Sequence, residues 1–182
     1  MLPEFVQRVQ DLIDESIRGI HTAMPGTIVS YDPSTGLASV QPALKYRKPD
    51  GETMDYPRIP GVPVLLSQSF HQRAAIGLPI HAGDGCLLIA SEQSTDYWLY
   101  GQETDTDLPF DLTDSICIPG LFPAANPVER EACEEDALIL DLDGSRISLK
   151  DGGVHIEGPV TIEGFVTIRG EVVLQEEAGE AD

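Results

Sequence analysis

The sequence predicts a mainly β chain made of an N-terminal α-helix, a small antiparallel barrel and a C-terminal β-rod that several chains build together. Three observations predict it. Apolar residues recur at helical spacing only near the N-terminus; residues 27–123 read as short alternating runs cut by Gly and Pro; and residues 154–174 repeat one six-residue unit almost four times.

The helix comes first. Leu2, Phe5, Val6, Val9, Leu12, Ile13, Ile17 and Ile20 fall at intervals of three and four, which places them on one stripe of an α-helix. Pro3 is tolerated in a first turn, Glu4 and Arg18 suit the two ends of the helix dipole, and Gly19 followed by Pro25-Gly26 closes the element. The stripe needs a partner, which is either the following domain or the same helix of neighbouring chains.

The barrel follows. Residues 27–31 lead into the turn Asp32-Pro33-Ser34-Thr35-Gly36, and Leu37, Ser39 and Gln41 alternate with Ala38, Val40 and Pro42, the pattern of a hairpin. Residues 45–55 are polar around Pro49-Asp50-Gly51 and read as a loop. Ile59, Val62, Val64 and Leu65 supply another strand, and residues 67–77 read as an exposed connection. After the turn at 79–85, Cys86-Leu87-Leu88-Ile89-Ala90 reads as a buried strand, and Trp98, the only Trp, is placed to plug the barrel. Leu87, Ile89 and Trp98 are therefore the expected barrel core. About five strands and one late helical turn suit an oligonucleotide/oligosaccharide-binding (OB) type barrel, a fold name that carries no function by itself.

Residues 124–137, rich in Ala and carboxylates, read as an acidic linker. Beyond it Leu138, Leu140 and Leu142 alternate, Asp143-Gly144 turns, Ile147 and Leu149 alternate, and Asp151-Gly152-Gly153 turns into the repeat. The rows of the repeat are Val154, Val160, Val166 and Val172, and Ile156, Ile162, Ile168 and Leu174; Gly158, Gly164 and Gly170 mark its corners. Residues two apart share one face of an extended strand, and Gly permits a bend, so each unit is a short strand and a corner. Burying one Val and one Ile contributes roughly 3–6 kcal/mol, less than the entropy of the six residues of backbone that it orders. Other chains must make up the difference. A single-chain hexapeptide solenoid would need several stacked coils where this stretch supplies barely one, and the remaining alternative is an edge hairpin with a chance repeat. The expected organisation is a helix at 1–25, a barrel at 26–123, a linker at 124–137, a stem at 138–174 and an acidic tail at 175–182.

Composition excludes several function classes. The 182-residue chain carries a formal net charge of −20 with only 11 Lys and Arg, too few to build a phosphate-binding surface, so no nucleic acid partner is expected. No basic segment precedes an apolar core at the N-terminus, and no apolar run reaches the roughly eighteen residues of a membrane span, so a soluble product without a signal peptide is expected. Cys86, Cys117 and Cys133 have no CxxC spacing, and His21, His71, His81 and His155 lack ligand or triad spacing. No metal, no cofactor and no catalytic residue is expected. Glu92 and Asp96 are the one pair of carboxylates worth naming as an acid/base couple, in a polar segment with no cleft signalled around it.

Three stretches together resemble a known family, the central-spike or baseplate assembly protein (protein V type) of contractile phage tails and related injection machines. They are Pro79-Ile80-His81-Ala82-Gly83-Asp84-Gly85-Cys86-Leu87-Leu88-Ile89 with Asp96-Tyr97-Trp98-Leu99 after it, Asp111-Leu112-Thr113-Asp114-Ser115-Ile116-Cys117-Ile118-Pro119-Gly120-Leu121, and the terminal Val-x-Ile-x-Gly repeat. The resemblance implies a homotrimer, a barrel docked on the tail hub protein, and an intertwined triple-stranded β-helix that pierces the host outer membrane when the sheath contracts. It implies no enzymatic activity, a place in the virion baseplate after assembly in the host cytoplasm, and baseplate wedge proteins and a separate spike-tip protein as further partners. Longer members of that family end in a His-x-His pair that binds iron; here His155 lies between Val154 and Ile156 and no His follows, so metal at the tip is not expected. The competing classes are a carbohydrate- or cell-wall-binding barrel and a cell-wall hydrolase.

Overall fold

A computed structural model describes residues 2–48, 51–102 and 108–173. The chain forms two compact units, Met1–Ala124 and Ala125–Asp182. Leu174 and the tail at 175–182 lie outside the described residues.

The first unit begins with α1 (Leu2–Arg18), followed by the long strand β1 (Ala23–Asp32) and β2 (Leu37–Pro42). The turn between them is held by Asp32, whose carboxylate accepts from the Ser34 hydroxyl at 2.6 Å and the Thr35 hydroxyl at 2.9 Å. Two small hairpins interrupt the main sheet: β3 (Lys45–Arg47) with β4 (Thr53–Asp55), and, after β5 (Ile59–Pro63), β6 (Ser67–Ser69) with β7 (Ala74–Ile76). The sheet resumes with β8 (Gly85–Ala90), then the one-turn helix α2 (Asp96–Tyr100), a 3-10 turn at Leu112–Asp114 and β9 (Ser115–Pro119).

Five strands form one antiparallel sheet in the order β5-β2-β1-β8-β9. It curls until its two edges meet: Val64, just past β5, forms a parallel bridge with Cys117 of β9, and the Leu65 amide donates to the Cys117 carbonyl oxygen at 2.8 Å. The curl encloses the core. Ile28, Val40, Val62, Cys86, Leu88 and Cys117 are completely buried there. In β1 and β2 every second residue points inward, and β1 passes Gly26 beside Cys86 and Met24 beside Leu88.

That register corrects the expected barrel core. Cys86, Leu88 and Ala90 face inward, whereas Leu87 is half-buried and Ile89 is 38% exposed on the outer side. An unbroken apolar run gives no phase, and a shift of one residue exchanges the two faces of a strand. Trp98 does not plug the sheet either; it stands 71% exposed on α2.

The second unit begins with α3 (Pro127–Glu134), inside the segment expected to be a plain linker. Asn126 accepts a hydrogen bond from the Val128 amide at 2.9 Å and Pro127 occupies the first helical position, so the segment carries its own start signal. Three strands then run as a meander, β10 (Leu138–Leu142), β11 (Ser145–Lys150) and β12 (Gly153–Glu157).

Candidate assembly surface

The meander places the apolar residues in rungs. Leu138 stands opposite Leu149, which stands opposite Val154; Leu140 stands opposite Ile147, which stands opposite Ile156. Asp143 and Gly144 join β10 to β11 with φ of +39° and +97°, the paired positive values of a tight two-residue hairpin turn. Because residues two apart share a face, all the Leu, Ile and Val of these rungs lie on one side of the sheet.

The other side is mostly polar, with Ile139 beside Ser148, and carries α3. Arg146 of β11 approaches Glu131 of α3 to 2.7 Å, Lys150 pairs with Glu135, and Ser148 between them is buried. The Glu131 carboxylate raises the Arg146 pKa, and the Lys150 ammonium holds Glu135 below the usual carboxylate range. Helix α3 thus protects the polar face and leaves the apolar face bare. Leu138, Leu140, Val154 and Ile156 are between 49% and 63% exposed. Leu138, Leu140, Ile147 and Leu149 are not among the residues expected on the axis; their alternation and the two flanking Asp-Gly turns are the signal that puts them on one face with Val154 and Ile156.

Among the described residues, 158–173 take no strand partner. Val160, Ile162, Val166, Ile168 and Val172 are all more than half exposed, and Phe165 is fully so. Gly158, Gly164 and Gly170 have φ of +108°, +126° and +138°, the same left-handed corner three times, where a side chain would be strained. Val154 and Ile156 therefore sit in a paired strand, and the later rows on an unpaired extension; Leu174 lies outside the described residues.

The candidate chemistry of the first unit is dispersed. Glu92 is exposed and Asp96 begins α2. Neither lines the groove of about 510 Å³ between the β6–β7 hairpin and β9, whose walls include Leu65, Ile76, Leu78, Ile118 and Phe122. Asp84, the one carboxylate on that groove among the described residues, accepts from the His81 amide at 2.7 Å. Among the described residues no group of three His, Cys, Asp or Glu side chains is placed to hold a metal ion.

A family model for the phage protein Gp138 N-terminal domain matches residues 24–120. The chain belongs to this family. The Gp138 N-terminal domain covers the curled sheet from β1 to β9, beginning one residue into β1 and ending one residue past β9. It leaves out α1 and the whole second unit. No curated protein matches the chain. Membership in the Gp138 family makes this a phage protein with a structural, virion-associated role, consistent with a place in the tail or baseplate.

Proposed function

We propose that the chain is the central spike of a contractile tail baseplate, a homotrimer whose second unit and Val/Ile repeat form an intertwined triple-stranded β-helix. The observation that carries this reading is the bare apolar face of β10–β12 and its continuation into the rows 160–172. A β-sheet face of this kind must be buried, the described residues of the second unit cover only the opposite face, and copies of the same repeat supply matching rows. Chains interleaved in this way resist force, because no strand leaves its level without breaking hydrogen bonds to two others. That is the property needed to drive a rod through a host outer membrane.

The connectivity of the first unit, with β1 paired to both β2 and β8 and β9 returning parallel to the end of β5, supports an OB-type barrel as the collar of the spike. The collar would meet the tail hub protein and the neighbouring baseplate wedge proteins, and a separate tip protein would cap the stem. The function is mechanical: no catalytic residue, cofactor or metal takes part, and nucleic acid is not a partner.

Light scattering on the full chain tests the proposal. Three chains per particle, with resistance to detergent lost when residues 138–182 are deleted, are expected; a single chain per particle would sink it. A second reading, a carbohydrate-binding barrel, rests on the apolar groove beside the β6–β7 hairpin. It requires saturable binding of a cell-wall oligosaccharide that survives the same deletion.

A further inference from the structure

We infer that α1 is a contact helix between copies of the chain, its apolar stripe packed against the same helix of its neighbours in a short parallel bundle. Among the described residues the stripe stays uncovered. Phe5, Leu12 and Ile17 are 68%, 63% and 60% exposed, and none of the described side chains of α1 is buried. Of the two partners open to an amphipathic helix here, the following domain is therefore not the one. A helix of this length without tertiary packing is marginal in water, and Val, Ile and Phe are weak helix formers, so something must cover them.

The spacing points to copies of the helix itself. With Val6 and Ile13 in the first core position of a heptad, Leu2, Val9 and Ser16 fall in the second, and Phe5, Leu12 and Ile17 flank the seam on both sides. Four of these five core positions are apolar and apolar residues flank them, so copies of the helix set side by side bury the whole stripe against one another. The charge balance excludes a lipid surface as the occupant. Residues 2–18 carry Glu4, Asp11, Asp14 and Glu15 against Arg8 and Arg18, whereas helices that lie on anionic membranes are rich in Lys and Arg. Only four residues join α1 to β1, and the His21 amide donates to the Phe110 carbonyl oxygen at 3.3 Å, so the helix leaves the sheet from a fixed point. That each bundle holds three helices rests on the trimeric spike proposed above; that the helices meet does not.

Interchain disulfide formation in the full-length protein tests the inference. Single cysteines are placed at Val9→Cys and Ile13→Cys on the stripe and at Asp11→Cys on the opposite side, each in a Cys133→Ser background; Cys86 and Cys117 are buried. Mild oxidation is expected to link chains at least tenfold faster at positions 9 and 13 than at position 11. Equal rates at all three positions, or no linkage at 9 and 13, would overturn the contact helix, including the case in which a different protein covers the stripe. Light scattering on the same reduced samples separates the two readings. Three chains per particle without preferential linkage overturn the helix contact alone, and one chain per particle overturns both.

Discussion

Ile147 and Ile156 stand directly opposite one another across β11 and β12, and Leu140 completes their rung on a face that α3 does not cover. In the proposed trimer this rung lies on the shared axis. Ile156→Asp would place a carboxylate there in each chain, and burying an unpaired charge costs at least ~2 kcal/mol per chain. The expected outcome is loss of the trimer by sedimentation at concentrations where the parent stays assembled. Thr161→Asp, which sits between two rows rather than in one, should leave the mass unchanged. An Ile156→Asp protein that sediments like the parent would remove this rung from the axis.

Gly26 lies in β1 where β2 and β8 close in on it. A Cβ there would stand 2.8 Å from Val40 Cγ1 and 3.3 Å from both Cys86 Sγ and Leu88 Cδ1. Gly26→Ala therefore overpacks the fully buried centre of the sheet, and a loss of about 1–3 kcal/mol is expected. Gly85→Ala should be worse, since its Cβ would run into the Leu121 carbonyl oxygen, a backbone atom that cannot rotate away. Gly77→Ala is the control, with nothing within 4 Å. Urea midpoints followed by Trp98 fluorescence should fall in the order Gly77→Ala, Gly26→Ala, Gly85→Ala.

How much of this was legible in the sequence follows from how local each signal is. The α1 stripe and the Asp143-Gly144 hairpin depend on neighbours within a turn or two, and both are where the spacing places them. The inward phase of β8 depends on its pairing with β1, some sixty residues away, and an unbroken apolar run hides it; hence Leu88 rather than Leu87 or Ile89 fills the core. Helix α3 was masked by its acidic composition, because the partners that fix it, Arg146 and Lys150, arrive only with β11. The rows from Val160 onward show the opposite case. Their regularity is plain in the sequence, and the single chain gives them no partner.

Asp114 ties the loop ahead of α2 to the sheet. Its Oδ1 accepts from the Thr95 amide at 2.7 Å and from the Thr95 and Ser94 hydroxyls at 3.1 Å, while its carbonyl oxygen accepts from the Ser91 amide at 2.9 Å. Thr95 is buried, so Asp114→Ala strands its amide without an acceptor, at a cost of about 1–3 kcal/mol. The variant should melt earlier and should expose Trp98, two residues into α2, to collisional quenchers more than the parent does. Asp114→Asn keeps one acceptor oxygen and should lose less. An unchanged midpoint in Asp114→Ala would show that the loop holds its place without this carboxylate.

Acid should weaken the first unit through its turn carboxylates. Asp111 accepts from the Thr113 hydroxyl at 2.6 Å and the Thr113 amide at 2.8 Å, and Asp32 is held in the same way by Ser34 and Thr35. The Thr113 hydroxyl first, then its amide, lowers the Asp111 pKa, and the Ser34 hydroxyl does the same for Asp32. A carboxyl whose folded pKa lies below its unfolded value of about 3.9 contributes its stabilisation in full above that value and loses it as the pH falls through the folded one. Protonation also relieves repulsion in a chain of net charge −20, which acts in the opposite direction. The comparison of parent with Asp111→Asn removes that common term. The parent should be the more stable at pH 7, and the difference should close as the pH is lowered from about 5 to below 3. A difference that stays constant over this range would mean that the Asp111 charge contributes nothing to the turn.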